Sequence, residues 1–255
     1  MLQSVEKSVE PPAGKTVSQW SGPPREQAVQ RMFSAIAQSY DLNNSLLSFG
    51  LHHHWKRQAA QQVPSIPGGQ ALDLGAGTGD LALLLDERYQ HQGHIAAMDL
   101  NFEMLKVGAK KIADHGVAPR VNCFRGNAEE LTFLDNTLDA VTAGFCIRNV
   151  GNRPNAFKEI FRVLKPGGRF VCLEFSRPVP ALLRKIYDWY SFHLLPTIGS
   201  WVAKDYTDVY HYLPESIRTF PDQERLATML RQAGFGQVSY QNLTGGIVAI
   251  HIAVK

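Results

Sequence analysis

The residues best placed to do chemistry are Asp73 and the three alternating glycines Gly75, Gly77 and Gly79. In Ala71-Leu72-Asp73-Leu74-Gly75-Ala76-Gly77-Thr78-Gly79-Asp80 an apolar run meets a carboxylate, turns on glycine and passes into the helical Leu81-Ala82-Leu83-Leu84-Leu85. Strand, tight turn and helix open an α/β nucleotide-type fold. Glycines at such a turn let the backbone come close to a ligand that a Cβ would meet. The spacing is G-x-G-x-G, not the G-x-G-x-x-G that lays a pyrophosphate on a helix N-terminus. A carboxylate at Asp73 repels a pyrophosphate and suits an ammonium group. S-adenosylmethionine carries an ammonium and a sulfonium and no phosphate. The next strand-like run, His94 to Met98, ends at Asp99, about 20 residues beyond the last glycine, where a carboxylate binds ribose hydroxyls. The expected cofactor is therefore S-adenosylmethionine, with no metal.

These residues need a sheet to hold them, and the rest of the chain supplies its pattern. A helix over Asn101 to His115, a strand over Val121 to Gly126, a strand over Leu138 to Ala143 and a helix over Ala156 to Leu164 follow in turn. Lys165-Pro166-Gly167-Gly168 then delivers the chain into a strand at Arg169 to Glu174. Alternation of this kind predicts a Rossmann-like α/β fold, a mostly parallel seven-stranded sheet with ligands at the carboxyl ends of its strands. Asp73, Asp99, Asn127, Gly144 and Glu174 all fall at or just past such ends. Asp222 to Gly234 reads as a capped helix. Val238 to Leu243 and Ile247 to Val254, joined by Thr244-Gly245-Gly246, read as a closing antiparallel hairpin.

Two stretches stand outside the alternation. Residues 1–25 are polar and proline-rich and read as a disordered tail, with the domain proper over 26–255. Residues 26–66 then read as a helical lid, and 178–220 as an insertion that covers the substrate. The insertion carries Tyr187, Trp189, Tyr190, Phe192, Trp201, Tyr206, Tyr210 and Tyr212, rings suited either to a planar apolar substrate or to a small satellite core. His52-His53-His54 invites a metal, but consecutive residues on a helix point in three directions.

Composition excludes several classes. The chain has 255 residues, 44% hydrophobic and 19% charged, enough for one full core. A net charge of +3 with no basic stripe argues against nucleic acid. No apolar run approaches the ~18 residues of a membrane span. Cys123, Cys146 and Cys172 are odd in number and lie in apolar runs, as reduced core thiols of a cytoplasmic protein do.

Three stretches resemble the ubiquinone/menaquinone biosynthesis C-methyltransferase family. They are Tyr40-Asp41-x-x-Asn44-x-x-Leu47-Ser48-x-x-x-His52-x-x-Trp55, the run from Arg162 through Glu174-Phe175-Ser176, and Tyr212 to Ile217 with Asn242 to His251. The resemblance spans about residues 29–255. It departs at Asn43, where the family usually has Met, and at Gly144, where it has a small side chain. It implies methyl transfer from S-adenosylmethionine to a ring carbon of a polyprenylated quinol. Thr78, Asp99, Asn127, Ala128 and Gly144 would line the cofactor. Ring methylation calls for a group that holds a phenolate and one that takes a proton. Arg148 is the candidate cation and Asn149 the candidate partner of the second ring oxygen, with Tyr40, His193 and His251 as proton acceptors or orienters. The expected partners are the quinol, a transient membrane surface at the inner face and a second copy of the chain. A methyltransferase of another small molecule, and a non-catalytic subunit of a quinone-synthesis assembly, are the alternatives.

Overall fold

The computed structural model describes residues 22–190 and 207–255, together with Val17. One seven-stranded sheet organises them, in the order β3-β2-β1-β4-β5-β7-β6. Its strands are β1 (Gln70–Leu74), β2 (His94–Asp99), β3 (Val121–Arg125), β4 (Leu138–Gly144), β5 (Leu164–Phe175), β6 (Gln237–Leu243) and β7 (Val248–Val254). β1 to β5 pair in parallel, whereas β7 runs antiparallel to both β5 and β6. The expected fold class is the observed one.

The helices of the alternation are α4 (Asp80–Arg88), α5 (Phe102–Asp114), α6 (Arg153–Val163) and α9 (Gln223–Gln232). Their starts follow local rules. Asn101 caps α5 by accepting from the Met104 N–H at 3.0 Å, and Asp222 caps α9 by accepting from Arg225 at 3.0 Å. Central strands such as β4, and β5 from Phe170 to Leu173, are covered on both faces, so their side chains there are mostly apolar and buried.

Among the described residues three α-helices precede the sheet: α1 (Gly22–Ile36), α2 (Tyr40–Leu47) and α3 (Leu51–Gln61). Here the expected tail boundary needs correcting, because helix begins at Gly22 and not at Glu26. Pro23 and Pro24 lie in the first turn of α1, where the missing N–H has no intrahelical partner to lose. Arg25 is likewise tied down, donating to the carbonyls of Asn149 at 3.3 Å and Arg148 at 3.2 Å and to the Tyr212 hydroxyl at 3.1 Å. After β5 come α7 (Ala181–Trp189) and α8 (Thr207–Thr219). No helix among the described residues is long and apolar enough to cross a membrane.

Candidate functional site

Two cavities meet at the carboxyl edge of the sheet. The first, about 120 Å³, lies over the ends of β1, β2 and β4 and is lined by Gly75, Gly77, Asp99, Asn127, Ala128 and Gly144, among others. Its glycines are under steric constraint. A Cβ at Gly75 (φ +67°) would sit 2.4 Å from Cβ of Cys146, and one at Gly144 would sit 2.5 Å from the Leu81 methyl. Leu81 thus fills the space that the side chain missing at Gly144 would take. Asp99 fixes the loop as well as facing the crevice: its carboxylate accepts from Gly77 N–H at 2.8 Å and Asn101 N–H at 2.7 Å. Burial pushes this carboxyl upward against those two bonds.

The charge lining this crevice is one-signed. Glu26, Asp99 and Glu129 contribute carboxylates, and no lysine, arginine or histidine of the described residues lines it. A phosphate-bearing cofactor would find three like charges and no cation; an ammonium and a sulfonium find matching ones. Leu100 and Met104 add apolar surface for a base ring, and Asn127 with the backbone at Ala128 adds polar edges. The residues therefore fit S-adenosylmethionine.

Two cofactor-binding expectations are not met by position. Asp73 does not line the crevice. In strand alternation Leu74 takes the crevice side, while Asp73 turns between β1 and β4 and accepts from Thr142 Oγ1 at 2.9 Å. It is 1% exposed, its Oδ2 has no partner, and burial raises its pKa to about 7 despite Thr142. Thr78 also turns away, donating to Asp41 of α2 at 2.6 Å. Asp41 in turn pairs with Lys111, and Lys111 with Asp80, which Lys56 of α3 also holds at 2.7 Å. Against the upward push of burial, the two lysines keep the Asp80 carboxyl well below the usual range. This network joins the helices before the sheet to the glycine loop.

The second cavity, about 330 Å³, is larger and mostly apolar. Its walls come from α1, α2, α3, α7 and α8 with Phe145, Arg148 and Phe175. Phe145 packs on Phe175 at 4.8 Å and Trp55 at 6.3 Å, and Trp55 Nε1–H donates to Thr244 Oγ1 at 2.9 Å. Phe33, Tyr40 and Phe145 line both cavities and mark their junction. Phe145 holds a left-handed backbone (φ +58°), a strained conformation for an aromatic residue. The Tyr40 hydroxyl makes no hydrogen bond among the described residues, so it is available at that junction.

Arg148 lines the second cavity but is not a free cation. It is buried and paired with Glu174 at 3.2 Å, and the Glu174 carboxylate also accepts from the Arg148 N–H at 3.1 Å. The guanidinium further donates to the Phe145 carbonyl, and its Nε–H has no partner. Burial works against its charge, yet Glu174 holds its pKa above the ordinary value. Asn149 lies on the first cavity, its Oδ1 accepting from the Tyr212 hydroxyl at 2.9 Å, and so does not face the acceptor cavity as expected. His251 is also elsewhere. It is buried in β7, bonded through Nε2 to the Gln223 carbonyl at 2.8 Å, and lines neither cavity. His193 lies outside the described residues.

Sequence reasoning missed Phe145, whose positive φ has no signal in a phenylalanine, and Arg25, which it assigned to the tail. It considered His52 as a metal ligand and within a motif but not as a cavity residue, although that ring lines the second cavity. Ser48 Oγ donates to the Asn44 carbonyl at 2.6 Å and so receives the His52 Nδ1–H at 2.8 Å, leaving Nε2 buried and unpartnered. Burial, then Lys56 and His53, lower its pKa to about 4. The divergence argument for the histidines also needs correcting. His52 and His53 rings approach to 3.9 Å, and ligand atoms of both lie with one of Asp80 within 4.8 Å. Both Asp80 oxygens are already held by ammonium groups, which a cation would have to displace.

Sheet order, glycine loop and carboxylate-lined crevice together define a methyltransferase of the S-adenosylmethionine-dependent α/β class. The chain belongs to the ubiE/COQ5 methyltransferase family, whose model matches residues 23–255. The ubiquinone/menaquinone biosynthesis C-methyltransferase UbiE of Vibrio cholerae is 48% identical over 227 residues, 89% of this chain and 87% of that protein. The protein of the same description from Proteus mirabilis is 47% identical, covering 91% and 92%. Among solved structures, a methyltransferase from Aquifex aeolicus matches with a TM-score of 0.57 at 16% identity, covering 78% and 88%. The [4+2]-cyclase SpnF matches at 0.66 and 18%, covering 96% and 97%. Those two likenesses are of fold alone.

Proposed function

We propose that this protein methylates a ring carbon of a polyprenylated quinol. The observation that carries the reading is the junction: a carboxylate-lined polar crevice opens, at Phe33, Tyr40 and Phe145, onto an apolar cavity walled by aromatic side chains. When bound, S-adenosylmethionine supplies an electrophilic methyl group on a sulfonium. Gly75, Gly77, Asp99, Asn127, Ala128 and Gly144 hold it in the first cavity. In the second, Tyr187, Tyr190 and Tyr212 of the segment after β5 face α1 to α3 across the space a ring and its tail would take. Residues 26–66 serve as a lid and the aromatic segment as a cover.

The chain's work is positioning and electrostatics. Arg148, aligned by Glu174 at the wall of the second cavity, stabilises developing phenolate charge as half of an ion pair. Tyr40 orients the quinol hydroxyl at the junction. A polyprenylated acceptor resides in a bilayer, so the protein meets it as a peripheral partner at the inner membrane face, alone or as a dimer. The substrate must be reduced, because a quinone carbon is electrophilic and cannot attack a sulfonium methyl.

An anaerobic assay with a demethylated naphthoquinol and a benzoquinol, followed by product mass, tests this and distinguishes the two rings. Equal turnover of reduced and oxidised forms would contradict it.

A further inference from the structure

Single exposed leucines are ordinary on a protein surface, but contiguous ones mark an interface. Of twelve large hydrophobic side chains left exposed among the described residues, eight lie in two short segments, 42–51 and 179–189. Phe49 is 77% exposed and Leu182 72%. The two segments are neighbours: the Tyr190 hydroxyl donates to the Leu47 carbonyl at 2.9 Å, and the Phe49 and Tyr190 rings lie 6.4 Å apart.

α7 divides its surface in a telling way. Leu183, Tyr187 and Tyr190 line the acceptor cavity and Leu182 and Trp189 are exposed outside it, while Ile186, at spacings of four and three from those two, is exposed at the cavity's rim and lines it as well. Lys185 and Arg184, both exposed, occupy the remaining side against one acidic residue in the helix, Asp188. On α2 the same division recurs, with Leu47 lining the cavity and Leu42 and Leu46 exposed. One pair of helices therefore forms the wall of the apolar cavity and an apolar outer face, with basic residues beside it. An outward face of leucine, isoleucine and tryptophan flanked by lysine and arginine is the pattern of a helix lying in a lipid interface.

We propose that α2 and α7 dock this protein on an anionic lipid bilayer, with the mouth of the acceptor cavity against the headgroups. The acceptor then passes from lipid into the cavity along a continuous apolar path. The proposal rests on the polyprenylated-acceptor reading for its purpose, but its test does not use the acceptor. The full-length protein is sedimented with vesicles of phosphatidylcholine alone and with phosphatidylglycerol added, without quinol. Binding is expected on the anionic vesicles and should weaken with salt. The triple variant Leu42→Gln, Leu46→Gln, Leu182→Gln changes residues outside the cavity lining. At roughly a fivefold effect for each leucine inserted to interfacial depth, it should lower partitioning roughly a hundredfold. Its turnover of a short-chain, water-soluble quinol should be unchanged. Lys185→Glu should cost roughly fivefold on anionic vesicles only.

A wild-type protein that ignores both vesicles overturns the proposal whatever the variants do, and so do variants that bind as well as wild type. Self-association that the triple substitution abolishes, without vesicle binding, assigns the face to a second copy and also overturns it. Vesicle binding without methylation of any quinol would leave the docking face standing and remove the substrate reading.

Discussion

The cofactor crevice and the acceptor cavity meet at three residues yet are built by opposite means. The crevice is a property of backbone: glycines with no room for a Cβ, strand ends, and a carboxylate pinned by two N–H groups. The cavity is a property of side chains carried on helices before and after the sheet. The first is fixed by spacing over a few residues, the second by packing between segments more than a hundred residues apart. Damage to the crevice should therefore appear in cofactor affinity, and damage to the cavity in acceptor turnover.

The largest test of that division is the Arg148–Glu174 pair. Arg148→Ala leaves a buried carboxylate without its partner and should destabilise the fold by about 3–5 kcal/mol. Arg148→Met combined with Glu174→Gln removes both charges, and most of the stability should return in a thermal melt. The methylation rate should stay down by on the order of 10²–10³, because no donor then faces the phenolate. Cofactor affinity of the double variant should match wild type. A double variant that regains the rate would make the pair scaffolding for the Phe145 turn.

On the crevice side, Asp99→Ala should weaken cofactor binding about tenfold to a hundredfold by calorimetry, the value of one or two charge-assisted bonds. Acceptor KM should hardly move. Unchanged cofactor affinity would remove Asp99 from the site. Asp41→Ala probes the link between the two regions, because Asp41 stands on α2 and accepts from Thr78 of the glycine loop. A loss of about twofold to tenfold in cofactor affinity is expected from one such bond. No loss would mean that the helices before the sheet sit on the loop without bracing it.

The same contrast explains what could be read from the chain in advance. Gly75, Gly77 and Asp99 were legible because a tight turn and a strand end impose residue types at fixed separations. The sheet and its hairpin were legible because apolar alternation and turn residues repeat locally. Asp73 was misjudged because a carboxylate beside a glycine loop shows its place in sequence but not its side of the strand. Asn149 and His251 failed for a related reason: chemistry assigns them roles, whereas the Tyr212 hydroxyl and the Gln223 carbonyl had already engaged them. The helix start at Gly22 was hidden by Pro23 and Pro24, which read as breakers until their place in a first turn is known. Glu174 was seen as a strand-end carboxylate, but its pairing with Arg148 joins positions 26 residues apart and has no local signature.

The smallest expected effect concerns the carboxylate that the spacing singled out first. Asp73 lines neither cavity, so Asp73→Asn should leave cofactor affinity within about threefold, well short of a lost charge-assisted bond. A tenfold loss would restore it as the ammonium partner. Its buried carboxyl titrates near 7 in the fold against 3.8 for the ordinary group. The folded state therefore binds more protons across that window. The contribution is complete below about 3.8 and is lost as pH rises through 7. His52 works the other way. Its pKa falls from 6.5 to about 4, so its contribution is present above 6.5 and is lost as pH drops toward 4. In the wild type the two slopes oppose each other between about pH 4 and 6.5. Asp73→Asn removes one of them, so denaturant melts of the variant should show stability falling more steeply with acid than in the wild type. At pH 8 the variant, with no buried charge beside Thr142, should be the more stable protein by on the order of 1 kcal/mol. Parallel pH profiles for the two proteins would mean that Asp73 is ionised throughout, with its unpartnered oxygen satisfied by water.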